Sequence, residues 1–344
     1  MTAIQPRNRF WLYAPYAVVM MIFIGWSALW FMIKGRVATG IDQWTSRENE
    51  AGRDWRCEDR SIAGFPFRFE VKCANLSLKR PSDPSAPAIN AGPVLVVAQV
   101  YDPNHLIAEP KGPLVASWSD GRKASMVWDA GQISLRRSSS QFERGSLTLN
   151  KLVLSLTGFD ASDGTARTSR LEAHLRPTPG RAAEFAMDVA ISFDKLVMPA
   201  LDQLLSSAQP ADLKIETTIS QSASLAGGIT PTTVETWRLA GGVVDLSKLS
   251  LVKGTAQLEG QGKFSFDEFR RVKGRLDGAQ TGIDTVGGMR IGAMLDAGAL
   301  LAGRAASQTQ NGKSLKPLPP LEARDGRLYL GPLRIPGTPL RPLY

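Results

Sequence analysis

Histidine and cysteine are almost missing from this chain, with two of each in 344 residues. That scarcity excludes whole classes of chemistry. A structural zinc site needs about four nitrogen or sulfur ligands. His105 and His174 stand alone, without a second ligand at metal-binding spacing, and read as surface or satisfied histidines. Cys57 and Cys73 are too few for such a site. No Gly-x-Ser-x-Gly elbow occurs. Gly260-Gln261-Gly262-Lys263 has the look of a phosphate loop, but position 257 is Gln and Lys263 precedes Phe264 rather than Ser or Thr. No pair of carboxylates stands out. The sequence therefore predicts no catalytic residue, no metal, no cofactor and no enzyme, and it leaves any ligand-binding residues undefined. The formal net charge is +9. A basic surface attracts nucleic acid, anionic lipid or acidic polymers; nucleic acid is not expected if the domain is exported.

Charge is also absent, locally, from Phe10 to Ile33. At about 1.5 Å per residue this run reaches roughly 36 Å as a helix, enough to cross a bilayer core of about 30 Å. Arg7 and Arg9 precede it, and Lys34 and Arg36 follow. Trp11, Tyr13 and Tyr16 cluster at one end and Trp26, Trp30 and Phe31 at the other, as at two membrane–water interfaces. A cleaved signal peptide would have a shorter apolar core and an uncharged cleavage region, so an uncleaved anchor is predicted. From Gly35 to Gly52, Val37, Ile41 and Trp44 recur at helical spacing, predicting a juxtamembrane helix.

The cysteines give a direction. Phe67, Phe69, Val71 and Cys73 alternate with Arg68, Glu70 and Lys72, the pattern of a half-buried strand, and Gly64 and Pro66 mark a turn before it. If that turn closes a hairpin, Cys57 and Cys73 face each other at bridgeable separation. Disulfides persist in oxidising compartments. The expectation is a single-pass protein of a bacterial inner membrane, with its N-terminus cytoplasmic and its bulk periplasmic.

Alternation dominates the rest. Leu147 and Leu149 alternate, and Leu152, Leu154 and Leu156 resume in the opposite phase, so a tight turn or a bulge falls at Asn150-Lys151. Strands are predicted at 185–193 and 213–219. The cleanest joins Ala256, Leu258, Gly260, Gly262, Phe264 and Phe266 on one face, all separated by polar residues. Its glycines suggest a bend or a close backbone approach. Helices are predicted at 200–206, after Pro199, and at 283–302.

Gly64-Phe65-Pro66-Phe67-Arg68, Tyr101-Asp102-Pro103-Asn104-His105-Leu106-Ile107-Ala108 and the ending Asp325-Gly326-x-Leu328-x-Leu330-Gly331-Pro332 resemble an uncharacterised proteobacterial family, domain of unknown function 2125. The stretch from Val244 to Gly274 is also similar to the amphipathic strands of AsmA-like envelope proteins. That likeness implies an elongated periplasmic β-sheet protein concerned with the envelope and lipid handling. It supplies no active site.

The predicted fold is mainly β (α+β): a transmembrane helix, then an elongated, curved antiparallel sheet with a few packed helices. The expected divisions are a cytoplasmic tail at 1–9, the span at 10–33, a juxtamembrane helix at 34–52, β-rich lobes at 53–195 and 196–303, a linker at 304–320 and a last strand and tail at 321–344. The expected partners are the membrane, with a lipid or other amphiphile on the apolar face of the sheet, or alternatively envelope proteins bound by a scaffold.

Overall fold

The computed structural model describes residues 10–344 except 139–140, 160–162, 227, 284, 287–288, 291, 294, 296–307 and 311–312. Helix α1 runs unbroken from Phe10 to Glu50. The juxtamembrane helix expected at 34–52 runs on from the span as its continuation. Gly35 and Gly40 each weaken a helix by about 1 kcal/mol, but neither removes an amide donor as proline would. Among the described residues α1 alone is long and apolar enough to cross a membrane.

After α1 the chain forms an open, curved antiparallel sheet. Its ribbons, in chain order, are β1 (Asp54–Cys57 with Ser61–Ala63), β2 (Arg68–Cys73 with Leu76–Lys79), β3 (Ala88–Ala91 with Val94–Gln99), β4 (Asp102–Pro110 with Leu114–Ser117), β5 (Lys123–Val127 with Ala130–Ser138), β6 (Gln141–Thr157), β7 (Gly164–Pro177), β8 (Met187–Leu196), β9 (Ala211–Ile219), β10 (Val244–Lys253), β11 (Ala256–Phe266), β12 (Val272–Thr281), β13 (Lys313–Pro317 with Leu321–Arg324), β14 (Arg327–Leu330) and β15 (Leu333–Pro339). Each ribbon pairs with the ones before and after it in the chain. The sheet is one continuous meander, antiparallel as the alternating segments predict.

A transverse crease crosses the first six ribbons. Along β2 the apolar positions are Val71 and Cys73, then Leu76 and Leu78; along β3 they are Ile89 and Ala91, then Val94 and Val96. Along β6 they are Leu147 and Leu149, then Leu152 and Leu154. These three ribbons shift phase by one residue at the same line, whereas in β4 the partners Ala108, Pro110, Leu114 and Ala116 keep one phase across it. In those three, a strand kept in step would send its second half to the opposite face. In β6 the device is Lys151, at φ +49°, so Asn150-Lys151 is an irregularity within one strand and not a turn. In β3 it is Gly92, where a Cβ would stand 2.6 Å from the carbonyl oxygen of Lys111. The indole of Trp128 fills the line, donating to the Pro110 carbonyl at 2.9 Å and packing with Leu149 and Leu152. At the edge of the crease Cys57 and Cys73 are joined in a disulfide, with Cα atoms 5.3 Å apart. The hairpin that brings them together turns at Gly64, whose carbonyl accepts from the Arg68 amide.

Two short helices close parts of the apolar face. Helix α2 (Pro199–Leu204) starts on its proline as expected. Leu201 and Leu205 lie on Leu196, Ala211 and Leu251. Beneath them the wholly buried side chain of Lys253 reaches Asp202 at 2.5 Å and the Gln209 carbonyl. Helix α3 (Pro231–Leu239) is capped by Thr230, whose hydroxyl accepts from the Thr233 amide. It buries Trp237, which donates to the Ser220 carbonyl at 2.7 Å and meets Phe266 edge-on.

Three expectations are corrected. The helix at 283–302 does not begin at Ile283, because Thr285–Val286 and Met289–Arg290 form a small hairpin. Of that stretch 292–293 and 295 are helical, and 296–302 lie outside the described residues. The stretch 304–320 is not all linker: Lys313–Pro317 pairs along β12, whose edge offers unsatisfied backbone groups. Helix α3 was not foreseen at all, although Thr230-Pro231 is a start signal. The expected lobe boundary at 195/196 falls inside β8, which pairs on both sides.

Two outcomes follow. Asp202→Ala leaves a buried ammonium without its carboxylate and is expected to cost about 3 kcal/mol; Lys253→Met, which removes the charge, is expected to cost clearly less. Denaturant titration of the detergent-solubilised chain compares them. Cys57→Ser with Cys73→Ser opens a closed loop with a sequence separation of 16 and is expected to cost about 3 kcal/mol in the same assay.

Candidate functional site: an uncovered apolar sheet face

Residues directly opposite one another in a ladder share a face. Starting beside α1, the register joins Ile62, Val71, Val96, Ala108, Ile133 and Leu147 in one row. The row continues through Ala173, Ile191, Ile215 and Leu249 to Gly260 and Gly278. No polar side chain interrupts it. At about 4.8 Å between strands it extends roughly 50 Å. None of its members is fully buried and none fully exposed. Gly262, one step along β11, would place a Cβ 2.3 Å from the Arg275 carbonyl oxygen, the close backbone approach its position suggested.

The coverage of this face is uneven. Over β1–β3 lies α1: Trp30 stacks on Phe69, with centroids 5.3 Å apart, and Trp44 lies against Trp55. Arg60 reaches Asp42 at 2.7 Å, and Arg53 chelates Glu48. Between α1 and these ribbons remains an open cleft of about 800 Å³, lined by Ile41, Trp44, Val71, Cys73 and Val96. At the far side α2 and α3 cap the two ends of β8–β11. Over β5–β7 the face is open among the described residues: Leu135 is 42% exposed and Leu175 38%. An apolar band of this length is ordinarily buried in a monomer or engaged by a partner.

The opposite face is polar. A shallow depression of about 760 Å³ is lined by His105, Ser134, Ser146, His174 and Asp188. The two histidines, far apart in sequence, thus share one surface, which the sequence did not reveal. His105 Nε2 lies 2.9 Å from Ser134 Oγ. Burial pushes the Asp188 carboxyl up, but hydrogen bonds from Thr178 at 2.7 Å, Thr218 at 2.9 Å and Arg176 at 3.2 Å outweigh it and hold the group below its ordinary value. Asp188 is thus an ionised, fully engaged carboxylate that ties β7, β8 and β9 together. No group of three His, Cys, Asp or Glu side chains able to hold a metal occurs among the described residues. Cys57 and Cys73 act as a structural link at the sheet's edge, beside the α1 cleft.

Comparison with curated proteins found no match, and comparison with solved structures found none. The sequence profile of one family does match, over residues 30–339, which takes in nearly everything from the middle of α1 to β15. The chain belongs to DUF2125, described as an uncharacterized protein conserved in bacteria.

Proposed function

We propose that this is a non-enzymatic, membrane-anchored protein of the bacterial envelope that holds the acyl part of a lipid on the open apolar face of its sheet. The observation that carries the reading is the unbroken apolar row from Ile62 to Gly278, left half-exposed between α1 and α2. Its length, roughly 50 Å, is about three times the thickness of one acyl layer, taken as half of a 30 Å core. The row begins beside α1, so a chain drawn from the bilayer would meet apolar surface without crossing a polar gap. Phe10 to Ile33 serves as the single membrane span. The Cys57–Cys73 bond is of the kind that persists in an oxidising compartment, which supports a reading with the sheet periplasmic and the N-terminus cytoplasmic. The protein binds and positions; no bond is made or broken. A second reading keeps the anchor and the compartment but gives the face to an envelope protein, favoured by the uncovered side chains of Leu135 and Leu175.

Photoreactive residues at positions 133 and 191 of the full chain test this in intact cells. Lipid adducts at both, lost when Ile215→Arg is added, are expected. Protein adducts without lipid would transfer the face to the scaffold reading. A catalytic turnover abolished by His105→Ala would overturn the non-enzymatic assignment.

A further inference from the structure

The turn at Gly64–Phe67 does not stand clear of α1. Phe65 lies edge-on to Phe23 at 6.1 Å and to Trp30 at 5.5 Å, and stacks on Phe31 at 6.2 Å. These helix residues belong to the uncharged run itself. From Phe10 to Phe23 the helix rises only about 20 Å, well short of a hydrocarbon core of about 30 Å. Arg7 and Arg9 bar the run from being extended on the other side. A span starting at Phe10 therefore uses the helix up to about residue 30, and whatever touches Phe23 lies below the far boundary of the core.

The backbone of the turn is built for such a place. Lipid offers no hydrogen bonds, so every polar group there needs a partner within the protein. The Pro66 carbonyl accepts from Trp26 Nε1 at 2.9 Å, and the Arg68 carbonyl from Trp30 Nε1 at 3.2 Å. The Gly64 carbonyl accepts from the Arg68 amide, and the Phe67 carbonyl from the Val100 amide. Pro66 has no amide to satisfy. A turn facing water would need none of these indole donors. The Val100 bond also sets the neighbouring turn of β3 and β4 beside the first, and the side chains pointing away from the protein are aromatic: Phe67 is 65% exposed and Tyr101 75%. Arg68, next to Phe67 in the chain, pairs with Glu70 at 2.6 Å, and Lys34 lies over the Trp30 ring at 5.7 Å.

We infer that the paired turns carrying Phe65, Phe67 and Tyr101 are a bilayer-docking edge, inserted into the leaflet that α1 leaves. Phe65 enters the acyl region, while Phe67 and Tyr101 occupy the interface, where such rings partition. Insertion on top of a membrane-spanning helix fixes the tilt of the sheet, so the α1 end of the apolar row opens at the lipid boundary. The inference rests on Phe10–Ile33 being the span, and the test separates the two.

The full chain is reconstituted in vesicles of phosphatidylethanolamine and phosphatidylglycerol, with single fluorophores at Phe67→Cys, Tyr101→Cys, Val19→Cys and Ser119→Cys; the native cysteines are bonded to each other and do not react. Positions 67, 101 and 19 are expected to be quenched by bromine on the acyl chains and shielded from aqueous iodide. Position 119, at the opposite end of the ribbons, is expected to behave the other way. Iodide quenching at 67 and 101 equal to that at 119, with 19 in lipid, overturns the docking edge alone. Iodide access at 19 overturns the membrane span and the docking edge with it.

Discussion

The side-chain period of two along a strand is the constraint on which this molecule rests. A meander of long ribbons keeps a single apolar face only if every ribbon keeps its phase with its neighbours. Where the first ribbons bend, the backbone inserts a compensating half-step, and β2, β3 and β6 do so on one line. Gly92, Lys151 at positive φ and the Trp128 indole are the local solutions. The Cys57–Cys73 bond locks the open edge of that line. Without the shift the half-strands beyond the line, with Leu78, Ile89 and Leu152, would turn to the opposite face, and Leu149, Leu152 and Trp128 would not meet.

What the sequence discloses follows from how local each feature is. Alternation from Phe67 to Cys73 and from Ala256 to Phe266 is local, and both strands are found as read. The phase change at Asn150-Lys151 is visible in the chain, but its meaning is not, because a turn and a crease differ only in what the flanking ribbons do. The joining of His105 to Ser134 depends on the register between β4 and β5, which no single strand contains. Nothing in the local pattern singles out Lys253; its burial depends on α2 laying Asp202 over it. The apolar row could be expected as an idea, yet its members could not be named before the ladder was known. The pairing of Thr285–Val286 with Met289–Arg290 displaces the start of the expected helix, because glycine-rich apolar stretches suit either form.

Helix α1 links the two halves of the functional argument. It is at once the apolar run and the lid over β1–β3, with no break between these duties. The Asp42–Arg60 ion pair and the hydrogen bond from Trp55 to Glu48 hold its far half to the first ribbon, while Trp26 and Trp30 hold its middle to the first turn. Helix and sheet edge are thus joined along more than twenty residues, and the sheet inherits its direction from the helix. A flexible tether would leave the apolar face free to turn in any direction; a splint does not.

The strictly sequential pairing of the ribbons bears on how such a sheet is made. Each new ribbon finds its partner already in place, one step back in the chain, so closing most steps requires only a short loop, the connection through α3 and the one between β12 and β13 being longer. Assembly can proceed in the order of synthesis, α1 first and β15 last, with a single growing edge exposed at any moment. That keeps the hazardous unpaired edge small while a long apolar surface is being laid down. It also makes length an adjustable property: adding or losing one hairpin at the growing edge would change the reach of the apolar row by about 10 Å and leave every earlier ribbon as it was.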